Sequence, residues 1–123
     1  MHIFNMEDPN LKLNVNFFRT EGGSEPVRNW LKSLSDDEKK AIGTEIKVVQ
    51  FGWPLGMPVV RPLEKKMWEV RVALKNTIAR IIFTLDGNLM ILLHGFIKKD
   101  KTTRESDKKT ARKRMKQYFG GKK

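Results

Sequence analysis

The residues most able to do chemistry are two arginines, Arg71 and Arg80, placed on either side of Lys75-Asn76, where a two-residue hairpin turn would fall. Such a turn pairs Leu74 with Thr77, Val72 with Ala79 and Arg71 with Arg80. Like charges directly opposite each other destabilise a sheet by a few tenths to about 1 kcal/mol, so the pairing calls for an anion between or above them. Two guanidiniums can each offer a planar fork to one phosphate. The plain alternative is that each arginine pairs with a carboxylate, Glu69 being nearest in sequence, or extends into solvent. A one-residue slip would set the two arginines on opposite faces.

His94, Phe96 and Lys98 alternate along the following apolar run and end beside Lys99. Together they supply an imidazole that titrates near neutrality, an aromatic surface for base stacking and cations for phosphate. The plain alternatives are a hydrogen-bonded structural histidine and a core phenylalanine. Two histidines, no cysteine and no cluster of acids on the strands disfavour a zinc enzyme or a metal-dependent nuclease. No glycine-rich phosphate loop precedes a helix, and no Ser-His-Asp arrangement stands out. No metal or cofactor is expected. A cationic, metal-free site suits RNA cleavage by the neighbouring 2′-hydroxyl: a base takes its proton, cations stabilise the phosphorane and an acid protonates the leaving 5′-oxygen.

The charge balance reinforces this reading. The last 26 residues, from Lys98, carry 12 Lys or Arg against Asp100, Glu105 and Asp107, a net +9, whereas residues 1–97 carry 13 against 11, a net +2. Localised basicity is the footprint of a polyanion partner, because each neutralised phosphate releases counterions. A solvated tail is the bland alternative. The absence of cysteine fits a reducing compartment. No secretory signal or membrane-length apolar run is evident, so a cytoplasmic location is expected.

The elements that must position these residues follow from periodicity. Asn14 to Arg19 predicts a strand, with Glu21 to Ser24 as a turn. Ser24 caps a helix with Pro26 in its first turn and Val27, Trp30, Leu31 and Leu34 on its apolar face. Ser35 and Glu38 form a capping box for a second helix ending near Gly52. Trp53 to Pro62, interrupted by three prolines, reads as an extended connection. Met67 to Leu74, Ile78 to Leu85 and Leu89 to Ile97 are three consecutive antiparallel strands, the last two joined by an Asp86-Gly87 hairpin signal. Thr102 or Thr103 caps a last helix to about Phe119, with Ala111, Met115 and Tyr118 as its apolar stripe. The fold class is α+β, in the order β-α-α-β-β-β-α. One domain is expected over residues 13–119, between an N-terminal extension (1–12) and a short basic tail (120–123).

Trp68 to Val72, Ala79 to Phe83 and the run Leu92-Leu93-His94-Gly95-Phe96-Ile97-Lys98-Lys99, followed by a basic helix, resemble the phage-derived HigB-like branch of the RelE/ParE toxin superfamily. The likeness covers roughly Val15 to Tyr118. It implies a RelE-like fold: an antiparallel sheet with a helical hairpin on one face and a C-terminal basic helix. It also implies a type II toxin that cuts mRNA on the ribosome, opposed by a cognate antitoxin, a small helix-turn-helix protein. The implied roles are phosphate binding and transition-state stabilisation for Arg71 and Arg80, with Lys98 or Lys99 as proton donor or phosphate clamp. His94 is a candidate for acid–base work and Phe96 for base stacking. Lys101, Arg104, Lys108 and Arg112 are expected to hold RNA phosphates. A tyrosine that some relatives carry near the active site has no counterpart, since Tyr118 lies late in the last helix. The alternatives are a ParE-like gyrase poison and a non-catalytic nucleic-acid-binding module. On the leading reading, Arg80→Ala should relieve growth arrest and leave the fold intact.

Overall fold

The computed structural model describes residues 10–100 and 102–121. The elements run β1 (Asn14–Phe17), α1 (Pro26–Lys32), α2 (Asp36–Gly52), β2 (Val60–Glu64), β3 (Met67–Ala73), β4 (Ile78–Asp86), β5 (Leu89–Lys98) and α3 (Glu105–Gly120). The α+β class is as expected, and the five strands form one sheet in the order β1-β5-β4-β3-β2. Two features go beyond the sequence reading. β1 runs parallel to β5, so the sheet is mixed, and the stretch expected as a plain connection supplies an extra antiparallel strand, β2. Pro62 masks that strand in the sequence. It is tolerated because β2 is an edge strand and its register shifts between Pro62 and Glu64.

Both sheet faces are covered. On one, Ile42, Ile46 and Val49 of α2 and Val27 of α1 pack against Val70, Val72, Ile81, Phe83 and Leu92. On the other, Ala111, Met115 and Tyr118 of α3 pack against Met67, Ile82, Ile91, Leu93 and Phe96. The thin apolar stripe thus suffices to seat a helix rich in Lys and Arg. The capping box of α2 is present, with the Glu38 amide donating to Ser35 Oγ and the Ser35 amide to Glu38 Oε1. Two expected caps are not. Glu25, not Ser24, precedes α1, and Arg104, not either threonine, precedes α3; neither makes a side-chain capping bond. The expected N-terminal extension falls largely outside the described residues, but the amides of Lys12 and Leu13 donate to the Gln50 carbonyl.

A bulge in β5 decides which residues reach the α3 side. Phe83 pairs with Leu92 and Ile82 with His94, leaving Leu93 as the extra residue. Before it, Met90 and Leu92 face the helical hairpin; after it, Phe96 faces α3 while Ile97 faces the hairpin. The even-numbered positions therefore change sides at the bulge. Gly95 marks the same crossing, because a Cβ built there would clash with the Trp30 ring of α1. Gly95→Ala is expected to destabilise the domain by about 1–3 kcal/mol through overpacking, measurable as a lower urea midpoint at unchanged slope.

Candidate functional site

The register brings the arginines together as expected. Arg71 is opposite Arg80, and Arg80 is in turn opposite Phe96, so the three form a row across β3, β4 and β5. Glu69, Ile82 and His94 form the neighbouring row, and Arg61 of β2 is opposite Glu69. The row does not present two open guanidiniums, however. Arg80 has no exposed surface, whereas Arg71 is half-buried. The Arg80 guanidinium lies 5.9 Å from the centre of the Phe96 ring.

Arg80 is enclosed by a carboxylate and by the segment after β5. Its Nη2 donates to the Asp100 carbonyl at 2.6 Å, and its Nε is 3.6 Å from Glu69 Oε1, a charge contact longer than a hydrogen bond. Nε and Nη1 of Arg80, and Nε of Arg71, are buried without hydrogen-bond partners among the described residues. Burial pulls the Arg80 pKa down, Glu69 opposes that shift, and Arg71 and Arg61 add to it. Glu69, also fully buried, accepts a 2.6 Å bond from the Thr103 hydroxyl through its second oxygen. Thr103, one of the two threonines expected to cap α3, therefore serves the sheet instead.

Burial of the pair changes what Arg80→Ala would mean. Removing the guanidinium strands Glu69 in the interior, so the expectation of an intact fold is corrected: the variant tests stability first. Arg71 is the cleaner site for asking about function.

At the strand end, Lys98 Nζ is 2.9 Å from Asp100 Oδ1 and 3.4 Å from Thr102 Oγ1. Lys99 is exposed. The hydrogen bond from Lys98, followed by that from Thr102, pulls the Asp100 pKa down to about 2. A depressed carboxylate pKa contributes stability that is present above the unfolded value and lost as pH falls through the folded one. The Lys98 contact should therefore hold at neutral pH and release only between about pH 4 and pH 2. In an NMR titration, Lys98→Ala should move the Asp100 midpoint back towards the ordinary carboxylate range.

His94 is held at both ring nitrogens. Nε2 lies 2.8 Å from Asp107 Oδ1, and Nδ1 lies 3.4 Å from Arg114 Nη1, which also donates to the Leu93 carbonyl. A guanidinium can only donate, so Nδ1 accepts and Nε2–H is directed at Asp107. The ring stacks on Phe96 with centroids 5.5 Å apart. Phe96 is itself 6% exposed and is covered on one side by the His94 ring, so it offers no open platform for a base. Neither Asp107 nor Arg114 stands out in the sequence as part of this cluster. The available signal was that Asp107 is one of only three acids in a strongly basic stretch.

The cations expected to hold RNA divide into two groups. Arg112 is occupied: Nε and Nη2 fork onto Glu64 at 2.7–2.9 Å, and Nη2 also reaches Glu105 at 2.5 Å. These bonds tie α3 to β2, push the Arg112 pKa up and pull the Glu64 pKa down, with Lys108 adding a smaller downward effect on Glu64. Arg104 is exposed and donates to Asp107 at 3.1 Å. Lys101 lies outside the described residues. Lys109, Lys113 and Lys116 form the solvent-facing row of α3 that the sequence reading did not separate from Lys108 and Arg112. A cleft of about 530 Å³ between α3 and the turn after β1 is lined by Thr20, Gly22, Lys113, Arg114 and Gln117 among others. Among the described residues, no group of three or more His, Cys, Asp or Glu could hold a metal ion. None of their helices is long and apolar enough to cross a membrane.

A five-stranded sheet with a helical hairpin on one face and a basic helix on the other, and with cations gathered at its strand ends, defines a small α+β protein of RelE-like architecture. The family model described as Phage derived protein Gp49-like (DUF891) matches residues 29–116, from within α1 to late in α3. The chain belongs to this family, which is part of the RelE/HigB-like toxin superfamily and is associated with the toxins of toxin–antitoxin systems. No curated protein matches the chain.

Proposed function

We propose that this protein is the HigB-like toxin of a type II pair and acts as a metal-independent, ribosome-dependent mRNA endoribonuclease. The observation that carries the reading is the row Arg71, Arg80 and Phe96 across three strands, closed at the strand end by Lys98 and Lys99. Such a row concentrates positive charge where a phosphorane would develop it in negative form, and fixed cations in a partly dry site are worth more than the same cations in water.

The residues fill different roles. Half-buried Arg71 and exposed Lys99 are the contacts for the scissile phosphate, with Lys98 beside them as clamp or proton donor to the leaving 5′-oxygen. Arg80 acts from beneath, adding its field to that of Arg71. His94, engaged by Asp107 and Arg114, keeps the start of α3 against the sheet rather than shuttling protons. Arg104 and the row Lys109, Lys113 and Lys116 hold RNA backbone, and Lys108 contributes at the edge. The partners are mRNA, the ribosome and a cognate antitoxin whose acidic segment would meet this surface, with association speeded by opposite charge. The site of action is the cytoplasm.

The test of the surface is its salt dependence. Lys109→Gln/Lys113→Gln/Lys116→Gln should lower the slope of log K for RNA against log salt by about two to three. An unchanged slope would remove these lysines from the interface.

A further inference from the structure

Glu69 is fully buried on β3, next to the central strand β4, and contacts both β4 and the segment between β5 and α3. One oxygen faces Arg80 Nε at 3.6 Å, and the other accepts from Thr103, just ahead of α3, at 2.6 Å. Arg80 in turn donates to the Asp100 carbonyl, and the Asp100 carboxylate holds Lys98 at 2.9 Å. Hydrogen bonds and charge contacts form a circuit: Thr103, Glu69, Arg80, Asp100, Lys98. A buried ion pair is weak evidence for stability, because well-packed apolar residues often replace one at little cost, so the pair invites a role beyond holding the sheet.

We propose that Glu69 is a positioning residue for the cleavage site. With one oxygen it orients Arg80, and through Thr103 it fixes the segment after β5, which carries Lys99 and the Asp100 carboxylate that holds Lys98, beside the row begun by Arg71. It touches no substrate. This inference rests on the endoribonuclease reading and adds to it the device that sets the distance between strand cations and strand-end cations. Small misplacements of a catalytic group can reduce rate by about 100-fold, so the circuit has leverage.

The test uses purified full-length protein on programmed ribosomes, with kcat and KM measured separately. Thr103→Val removes only the hydroxyl that serves Glu69, and Glu69→Gln removes the charge while keeping an oxygen for Thr103. Each variant should lower kcat by about tenfold to 100-fold with KM within about twofold. The double variant should be no slower than Glu69→Gln alone, because Thr103 acts through Glu69. Full kcat in a folded Thr103→Val, losses confined to KM, or multiplying losses in the double variant would each overturn the proposal. If Glu69→Gln does not fold, Thr103→Val decides. Side-chain NMR of Arg80 supplies a readout independent of activity. The Nε–H signal should be slowly exchanging in the wild type and broadened or fast-exchanging in Thr103→Val. An identical signal in the two proteins overturns the inference even if no RNA is cut, whereas a wild type that cuts no RNA but shows the NMR change overturns only the nuclease reading.

Discussion

Arg71→Ala is expected to abolish growth arrest on expression and to lower mRNA cleavage by about 100- to 1,000-fold, the loss typical when one fixed donor to a developing oxyanion is removed. The fold should not suffer. Arg71 is only half-buried, its Nε has no hydrogen-bond partner among the described residues, and its charge works against that of Arg80. Removing it relieves repulsion between opposed guanidiniums, so thermal stability should stay level or rise slightly. A folded Arg71→Ala protein that still arrests growth would remove Arg71 from the site.

Arg80→Ala should behave in the opposite way. Arg80 and Glu69 are both fully buried, and leaving one buried charge without its partner typically costs about 3–5 kcal/mol. The single variant should therefore unfold at much lower urea, and its loss of toxicity would say little about catalysis. Arg80→Met combined with Glu69→Leu removes both charges and should recover most of the stability, while the Asp100 carbonyl loses its bond from Arg80. Stability of Arg80→Ala within about 1 kcal/mol of the wild type would show that the pair is not held as tightly as its burial implies. Recovery of stability without activity in the double variant would separate the structural part of Arg80 from its electrostatic part.

Much of this arrangement was legible in the chain because short-range rules set it. Lys75-Asn76 fixes the β3–β4 register, with the Leu74 amide donating to the Thr77 carbonyl, and that register alone sets Arg71 against Arg80. Ser35 and Glu38 announce α2, and Ala111, Met115 and Tyr118 announce the seated face of α3. What escaped depends on contacts distant in sequence. The parallel pairing of β1 with β5 has no local signature. β2 is hidden by Pro62, which an edge strand accepts. The burial of Arg80 follows from where the segment between β5 and α3 lies, which periodicity cannot register. Glu69 could be read as a possible partner for the arginines, but nothing local pointed to Thr103 as its second contact. Arg112 looked like one more phosphate-binding cation, and only the tertiary approach of Glu64 shows that it is occupied.

The central claim is that this cationic row cuts RNA by the neighbouring 2′-hydroxyl, and the chemistry of the cut ends tests it most directly. Purified protein incubated with programmed ribosomes at ribosome-preserving magnesium, with and without a chelator that takes transition-metal ions but spares magnesium, should yield mRNA fragments with 2′,3′-cyclic or 3′-phosphate and 5′-hydroxyl ends at the same rate. A message with a 2′-deoxy residue at the cut position should be spared. Fragments with 3′-hydroxyl and 5′-phosphate ends, cleavage of the deoxy-substituted message, or intact message beside arrested growth would contradict the account.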